Sequence, residues 1–226
     1  MPPPAPQAAG VDWRDGAIPW SRRFQDIYFS PEDGLAESRH VFLAGNGLPA
    51  RFRPGFRMAE LGFGAGLNAL AAARAWTEAG LPGALAFTSF EAEPMAPADM
   101  ARALAPFPEL ADLAALLVAA WARGARRIDL PGLALHVIEG DARATLPAWE
   151  GAAEAWALDG FAPARNPEMW ESALLAAVFA RTVPGGTCAT YSAAGALRAR
   201  LAEAGFAVER LPGFGRKRHM TRGIRP

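Results

Sequence analysis

Four short stretches of the chain carry the residue types that chemistry needs. Glu60-Leu-Gly-Phe-Gly-Ala-Gly66 sets Gly62, Gly64 and Gly66 at alternate positions behind an acid. Glycine lets the backbone turn tightly and approach a ligand, and a helix beginning there offers unpaired N–H groups. Glu91 and Asp141 each close a later apolar run. A carboxylate at Glu91 can accept both hydrogens of a ribose diol, and one at Asp141 can accept from an adenine amino group. Singly, a glycine loop also suits a ligand-free strand-to-helix turn, and each acid suits a solvated strand end. In series they describe a nucleoside cradle at the carboxyl edge of a sheet. Asn68 and Ala142, beside the loop and beside Asp141, complete the expected cofactor contacts.

The fourth stretch is Asp159-Gly-Phe-Ala-Pro163. It supplies a carboxylate, a glycine for close approach, an aromatic ring and a stiffening proline, which is what methylating an amine requires. An ammonium has no lone pair, so the amine must lose a proton. Asp159 can hold the amine, favour its deprotonation and aim it. Phe161 can stack on a flat substrate and Trp170 can wall the site. The competing expectation is a structural turn, with Asp159 capping backbone N–H groups and Phe161 in the core.

Two cofactors compete for the glycine loop. Gly64-Ala-Gly66-Leu-Asn-Ala69 satisfies the dinucleotide pattern, which would make an NAD-linked oxidoreductase. The preceding acid favours S-adenosylmethionine, whose sulfonium and amino group are cationic; Glu60 would repel a pyrophosphate. Asp141 also has no necessary place in the dinucleotide pattern.

The elements that must position these residues alternate. Strands are expected at 56–61, 84–91, 133–139, 155–158, 187–191 and 206–211. Helices are expected at 67–79, across 97–123 with breaks at Pro106 and Pro108, from Asn166 to about Val183, and at 195–204. Asn166-Pro167-Glu168 reads as a helix start and Pro184-Gly-Gly186 as its stop. This is the pattern of an α/β protein with a mostly parallel sheet covered on both faces. Residues 1–54 read as an irregular N-terminal extension with a short helix at 35–43, the first ten as a disordered tail, and 55–226 as the catalytic domain.

Composition narrows the classes. The 226 residues carry 23 basic and 23 acidic side chains, so a uniformly basic nucleic-acid coat is excluded. Charge is uneven, however: the last 30 residues hold eight cations against two acids, with Arg216, Lys217 and Arg218 consecutive. Such a patch can bind phosphates, which also admits a non-enzymatic RNA-binding module. One cysteine, Cys188, excludes an internal disulfide and a multi-cysteine metal site, and the three histidines lie too far apart for a metal motif. No apolar run approaches the ~20 residues of a membrane span, and the opening lacks signal-peptide order. A cytoplasmic protein without metal is the expectation.

The chain resembles the methyltransferase module of the bacterial tRNA 5-methylaminomethyl-2-thiouridine biosynthesis enzymes (MnmC) and their stand-alone relatives (MnmD). The resemblance rests on Asp26-IYFSPEDGLAESRHVFLAGN-Gly47, Glu60-LGFGAG-Leu67, Phe90-EAEP-Met95, Asp159-GFAPARNPEM-Trp170 and Gly213-FGRKRHM-Thr221, in order along nearly the whole chain. It implies a Rossmann-like class I methyltransferase fold. It also implies methyl transfer from S-adenosylmethionine to an aminomethyl group on the wobble uridine of tRNA. By position, Gly62, Gly64 and Gly66 would form the cofactor loop, Glu91 would meet the ribose and Asp141 the adenine. Asp159 would contact the amine, with Phe161 beside the uracil. The bifunctional relatives continue into an FAD-dependent oxidase domain; with the chain ending at Pro226, a stand-alone methyltransferase or an excised module is expected. A separate enzyme would then supply the aminomethyl substrate.

Overall fold

Side chains alternate along the central strands so as to serve two cores at once. In β8 (Ala153–Leu158), Ala155 and Ala157 join one apolar cluster while Trp156 and Leu158 join the other. The computed structural model describes residues 9–16, 18–30 and 33–226. Its first strands, β1 (Val11–Arg14), β2 (Ile18–Ser21) and β3 (Asp26–Ile27), make a small antiparallel sheet. Helix α1 (Gly34–Ser38) follows, capped by the Asp33 side chain, which accepts from the Ala36 N–H at 2.8 Å. The chain then winds through Arg39–Leu43 and Ala44–Asn46 into the main sheet.

The main sheet is built from β4 (Arg57–Leu61), β5 (Leu85–Glu91), β6 (Arg127–Leu130), β7 (Leu133–Glu139), β8, β9 (Thr182–Thr190), β10 (Ala207–Pro212) and β11 (His219–Ile224). The connecting helices are α2 (Leu67–Glu78), α3 (Pro97–Leu104), α4 (Ala111–Ala122), α5 (Ala142–Ala148), α6 (Ser172–Ala180) and α7 (Gly195–Glu203). Strand order is β10-β11-β9-β8-β4-β5-β7-β6. The five inner strands β9, β8, β4, β5 and β7 run parallel, and β6, β10 and β11 pair antiparallel at the edges. One core gathers α2, α3, α4 and the extension; the other gathers α5, α6 and α7. This is the expected Rossmann-like layering, with the carboxyl ends of β4, β5 and β8 side by side.

Several local expectations are corrected. The extension is not irregular: its strands, α1 and the helical Arg39–Leu43 segment bury Val11, Leu35, Val41 and Phe42 in the first core. Of the expected tail, residues 1–8 lie outside the described residues, while Ala9 is buried and donates its N–H to the Pro94 carbonyl at 3.2 Å. Asn166-Pro167 starts only a single tight turn, Pro167–Trp170, and α6 begins at Ser172. Burial of the Trp170 ring (2% exposed) fixes that turn before the helix can start. Pro184-Gly-Gly186 does not end an element but lies inside β9, where a register shift against β8 absorbs it. The short strands β6 and β11 escaped the apolar-run criterion because polar and charged side chains interrupt both: Arg127 and Asp129 in β6, an edge strand, and His219, Thr221 and Arg222 in β11, which lies between β10 and β9.

Candidate active site

The glycine loop leaves β4 between two neighbouring strand ends. Gly62 (φ +88°) donates its N–H to the Phe90 carbonyl at 2.9 Å. A Cβ there would stand 2.1 Å from the Asp159 carbonyl oxygen, so only glycine lets β4 and β8 end side by side. Gly66 (φ +82°) opens α2, where a Cβ would strike Phe63 and Leu117. The Gly64 N–H donates to Glu91 Oε2 at 2.9 Å, and Glu91 Oε1 accepts from the Glu93 N–H at 2.7 Å. The Phe63 N–H also bonds this carboxylate, which leaves it accepting capacity for a ligand. Burial pushes the Glu91 carboxyl up, opposed by these N–H donors.

The loop forms one wall of a cavity of about 460 Å³, within the ~300–1,000 Å³ usual for small-molecule sites. Next to the loop, a second set of side chains lines the same cavity. Asn68, on the first turn of α2, donates to Asp159 Oδ2 at 2.6 Å and to Glu60 Oε1 at 2.8 Å. Asp159 is half-buried, and desolvation raises its carboxyl to about 7, against the lowering effect of the Asn68 hydrogen bond. Phe161 stacks on Phe24 at 4.7 Å between ring centres and meets Tyr28 edge-on at 5.1 Å. The Tyr191 hydroxyl donates to the Gly160 carbonyl at 2.8 Å, and Lys217 Nζ sits 4.0 Å from the Tyr191 ring centre and 2.8 Å from Glu37 Oε1. Burial pushes both tyrosine hydroxyls well above their ordinary range, so both stay protonated donors.

Among the residues expected at the site, Gly62, Gly64, Asn68, Glu91, Ala142, Asp159, Phe161, Arg216 and Lys217 line the cavity. Glu60 does not: it is fully buried one layer behind, accepting from Asn68 and from the Ser89 hydroxyl at 2.7 Å. Burial, then the nearby Asp159, holds its carboxyl well above the usual range. Asp141 caps α5 and is gripped by Arg143, with Nη2 to Oδ2 at 2.6 Å; these hydrogen bonds lower its carboxyl, and Ala142 stands on the cavity wall in its place. Trp170 is buried away from the cavity and donates its indole N–H to the Phe161 carbonyl at 2.9 Å, so it braces the loop instead of walling the site. Arg218 is exposed beyond the lining. Much of the carboxyl-terminal charge is engaged internally: Arg222 pairs with Glu209, and Arg225 donates to backbone carbonyls of Phe179 and Ala180.

Sequence reasoning did not assign site roles to Phe24, Tyr28, Glu37, Ser38 or Tyr191. The first four come from the extension, whose Asp26–Gly47 stretch was singled out by resemblance alone. Asp26 also clamps the loop after β8, its Oδ2 accepting from the Ala162 N–H at 3.0 Å. Among the described residues there is no cluster of three or more side chains suited to a metal, and no helix long and apolar enough to cross a membrane. Cys188 is buried, its thiol pushed up to about 12 by burial, which makes it an unreactive core residue.

The sheet order, the glycine loop and the acid closing β5 define a Rossmann-like methyltransferase of class I. The chain belongs to the S-adenosyl-L-methionine-dependent methyltransferase family, whose sequence profile matches residues 108–226. A tRNA 5-methylaminomethyl-2-thiouridine biosynthesis bifunctional protein MnmC from Caulobacter vibrioides is 48% identical over 100% of this chain and 39% of its own length. The protein of the same name from Pseudomonas paraeruginosa is 43% identical over 96% of this chain and 35% of its own. The chain thus spans under two fifths of the length of these relatives. The crystal structure of MnmC2 from Aquifex aeolicus matches with a TM-score of 0.75 and 25% identity, covering 99% of this chain and 74% of that one.

Proposed function

We propose that the protein methylates the aminomethyl group of 5-aminomethyl(-2-thio)uridine at the wobble position of tRNA, giving 5-methylaminomethyl(-2-thio)uridine. The observation that carries this reading is a carboxylate raised to about 7, in the same cavity as a stacked aromatic pair and the glycine loop. The names of the relatives point to the same modified nucleoside.

The residues fit S-adenosylmethionine better than a dinucleotide. The Gly64 N–H, which a pyrophosphate would need, is turned to Glu91, and the surrounding acids favour a cation. S-adenosylmethionine, when bound, supplies a methyl group on a sulfonium. Glu91 is the acceptor for the ribose diol, the glycine loop for the amino-acid end, and Ala142 packs against the base, with Asp141 contributing the cap of α5. Asp159 takes the amine proton on its carboxylate as the nitrogen lone pair is aimed at the methyl carbon. Phe161 and Phe24 hold the uracil ring, and Trp170 keeps the Phe161 backbone in place. Arg216, Lys217 and Arg218 meet the RNA phosphates.

In this reading residues 55–226 are the catalytic domain and 1–54 an extension that completes the substrate side. The protein works in the cytoplasm, where tRNA is modified, and a separate enzyme supplies the aminomethyl uridine. Nucleoside mass spectrometry of aminomethyl-bearing tRNA, after incubation with the protein and S-adenosylmethionine, tests the assignment. A gain of one methyl on the wobble uridine is expected. No gain, with cofactor binding confirmed by calorimetry, would overturn the substrate and leave the family intact.

A further inference from the structure

Ser38 ends α1 and is 3% exposed. Its hydroxyl donates to Asn68 Oδ1 at 2.5 Å. The other end of that amide faces two acids, with Nδ2 donating to Glu60 Oε1 at 2.8 Å and to Asp159 Oδ2 at 2.6 Å. A carboxamide has one accepting and one donating end, and an ionised carboxylate can only accept. The orientation of Asn68 therefore decides whether Asp159 meets a donor or a competing oxygen. Ser89 satisfies the second oxygen of Glu60, so that acid anchors the far side of the amide.

We infer that Ser38 is a positioning residue for the reaction: by donating to the Asn68 carbonyl it holds the amide N–H against the Asp159 carboxylate and fixes that carboxylate for proton acceptance. This rests on the proton-accepting role proposed for Asp159. Ser38 comes from the extension, so the extension would set the state of a group on the central sheet. Other groups bear on Asp159 too: Glu37 on α1 raises its carboxyl, Lys217 from the β10–β11 loop lowers it, and Glu60 on β4 and Tyr191 after β9 share its field. None of these touches the carbonyl end of Asn68. Without the Ser38 hydroxyl that oxygen lacks its donor, and either loosening or turning of the amide weakens the hydrogen bond to ionised Asp159.

The test is a carbon-13 NMR titration of the Asp159 carboxyl in aspartate-labelled protein, assigned with Asp159→Asn, without cofactor or RNA. Ser38→Ala should raise the midpoint by about one pH unit, a tenfold weaker acid, and Ser38→Thr should restore it. An unmoved midpoint in folded Ser38→Ala, or a Thr variant displaced as far as the Ala variant, overturns the inference. Should Ser38→Ala not fold, Asn68→Ala carries the same test, and an unmoved midpoint there is equally fatal. No RNA is present, so a wrong substrate assignment leaves the result untouched; a moved midpoint beside an unmethylated nucleoside would overturn the substrate alone.

Discussion

The two ends of the cavity are built by different means. The proposed cofactor end is made largely by backbone from consecutive strands: Gly62, Gly64 and Glu91 lie within 30 residues, tied by main-chain N–H donors to a buried sheet. The proposed amine end is assembled from side chains that meet only in the fold: Phe24, Glu37, Ser38, Asn68, Asp159, Phe161, Tyr191 and Lys217. A site made by backbone tolerates change outside its glycines. A site made by converging side chains can be retuned one residue at a time, which suits the proposed recognition of a particular amine.

Gly62 joins the two ends, and breaking it should have the largest effect. Gly62→Ala places a Cβ 2.1 Å from the Asp159 carbonyl and forces φ near +88° on alanine. The backbone strain alone costs ~1–3 kcal/mol, so thermal unfolding should show a clear loss of stability and calorimetry a loss of cofactor binding. Retention of both would mean that the ends are not mechanically joined.

Charge reversal at Arg216, Lys217 and Arg218 should act on one end only. Affinity for tRNA should fall and the slope of log K against log salt should flatten by up to about 3 units, with cofactor affinity unchanged. An unchanged slope places the RNA elsewhere. The smallest effect is expected from Phe24→Ala, which removes one stacked pair of ~0.5–1.5 kcal/mol. The KM for RNA should rise roughly 2- to 10-fold while the cofactor constant stays put. A shift in the cofactor constant instead would merge the two ends into one site.

The same contrast explains what the sequence revealed. The inner parallel strands, the glycine loop and Glu91 are legible because they are local: an apolar run, a turn, an acid at a fixed place. The place of Asp159, just after β8, is legible for the same reason. Spacing places Glu60 and Asp141 at strand ends, where a ligand contact is expected, yet it is silent on where a side chain turns. One is satisfied by Asn68 and Ser89, the other by Arg143 and a helix cap. Trp170 was read as a wall because the core that swallows it is non-local. Ser38 and Tyr191 left no trace in local pattern, since only the packing of the extension and the end of β9 brings them to Asp159.

Protonation gives the account a direction. In the proposed role Asp159 accepts a proton only when ionised, so the rate should climb with pH through about 7. Its contribution to folding runs the other way: a carboxyl raised in the fold adds stability below its unfolded value, near 4, and that contribution is lost as pH rises through about 7. The most direct test is the methyl-transfer rate of Asp159→Asn at saturating S-adenosylmethionine and tRNA. The account predicts a fall of ~10²–10⁴ with the cofactor dissociation constant unchanged. A rate within a few-fold of the unmodified protein would contradict it.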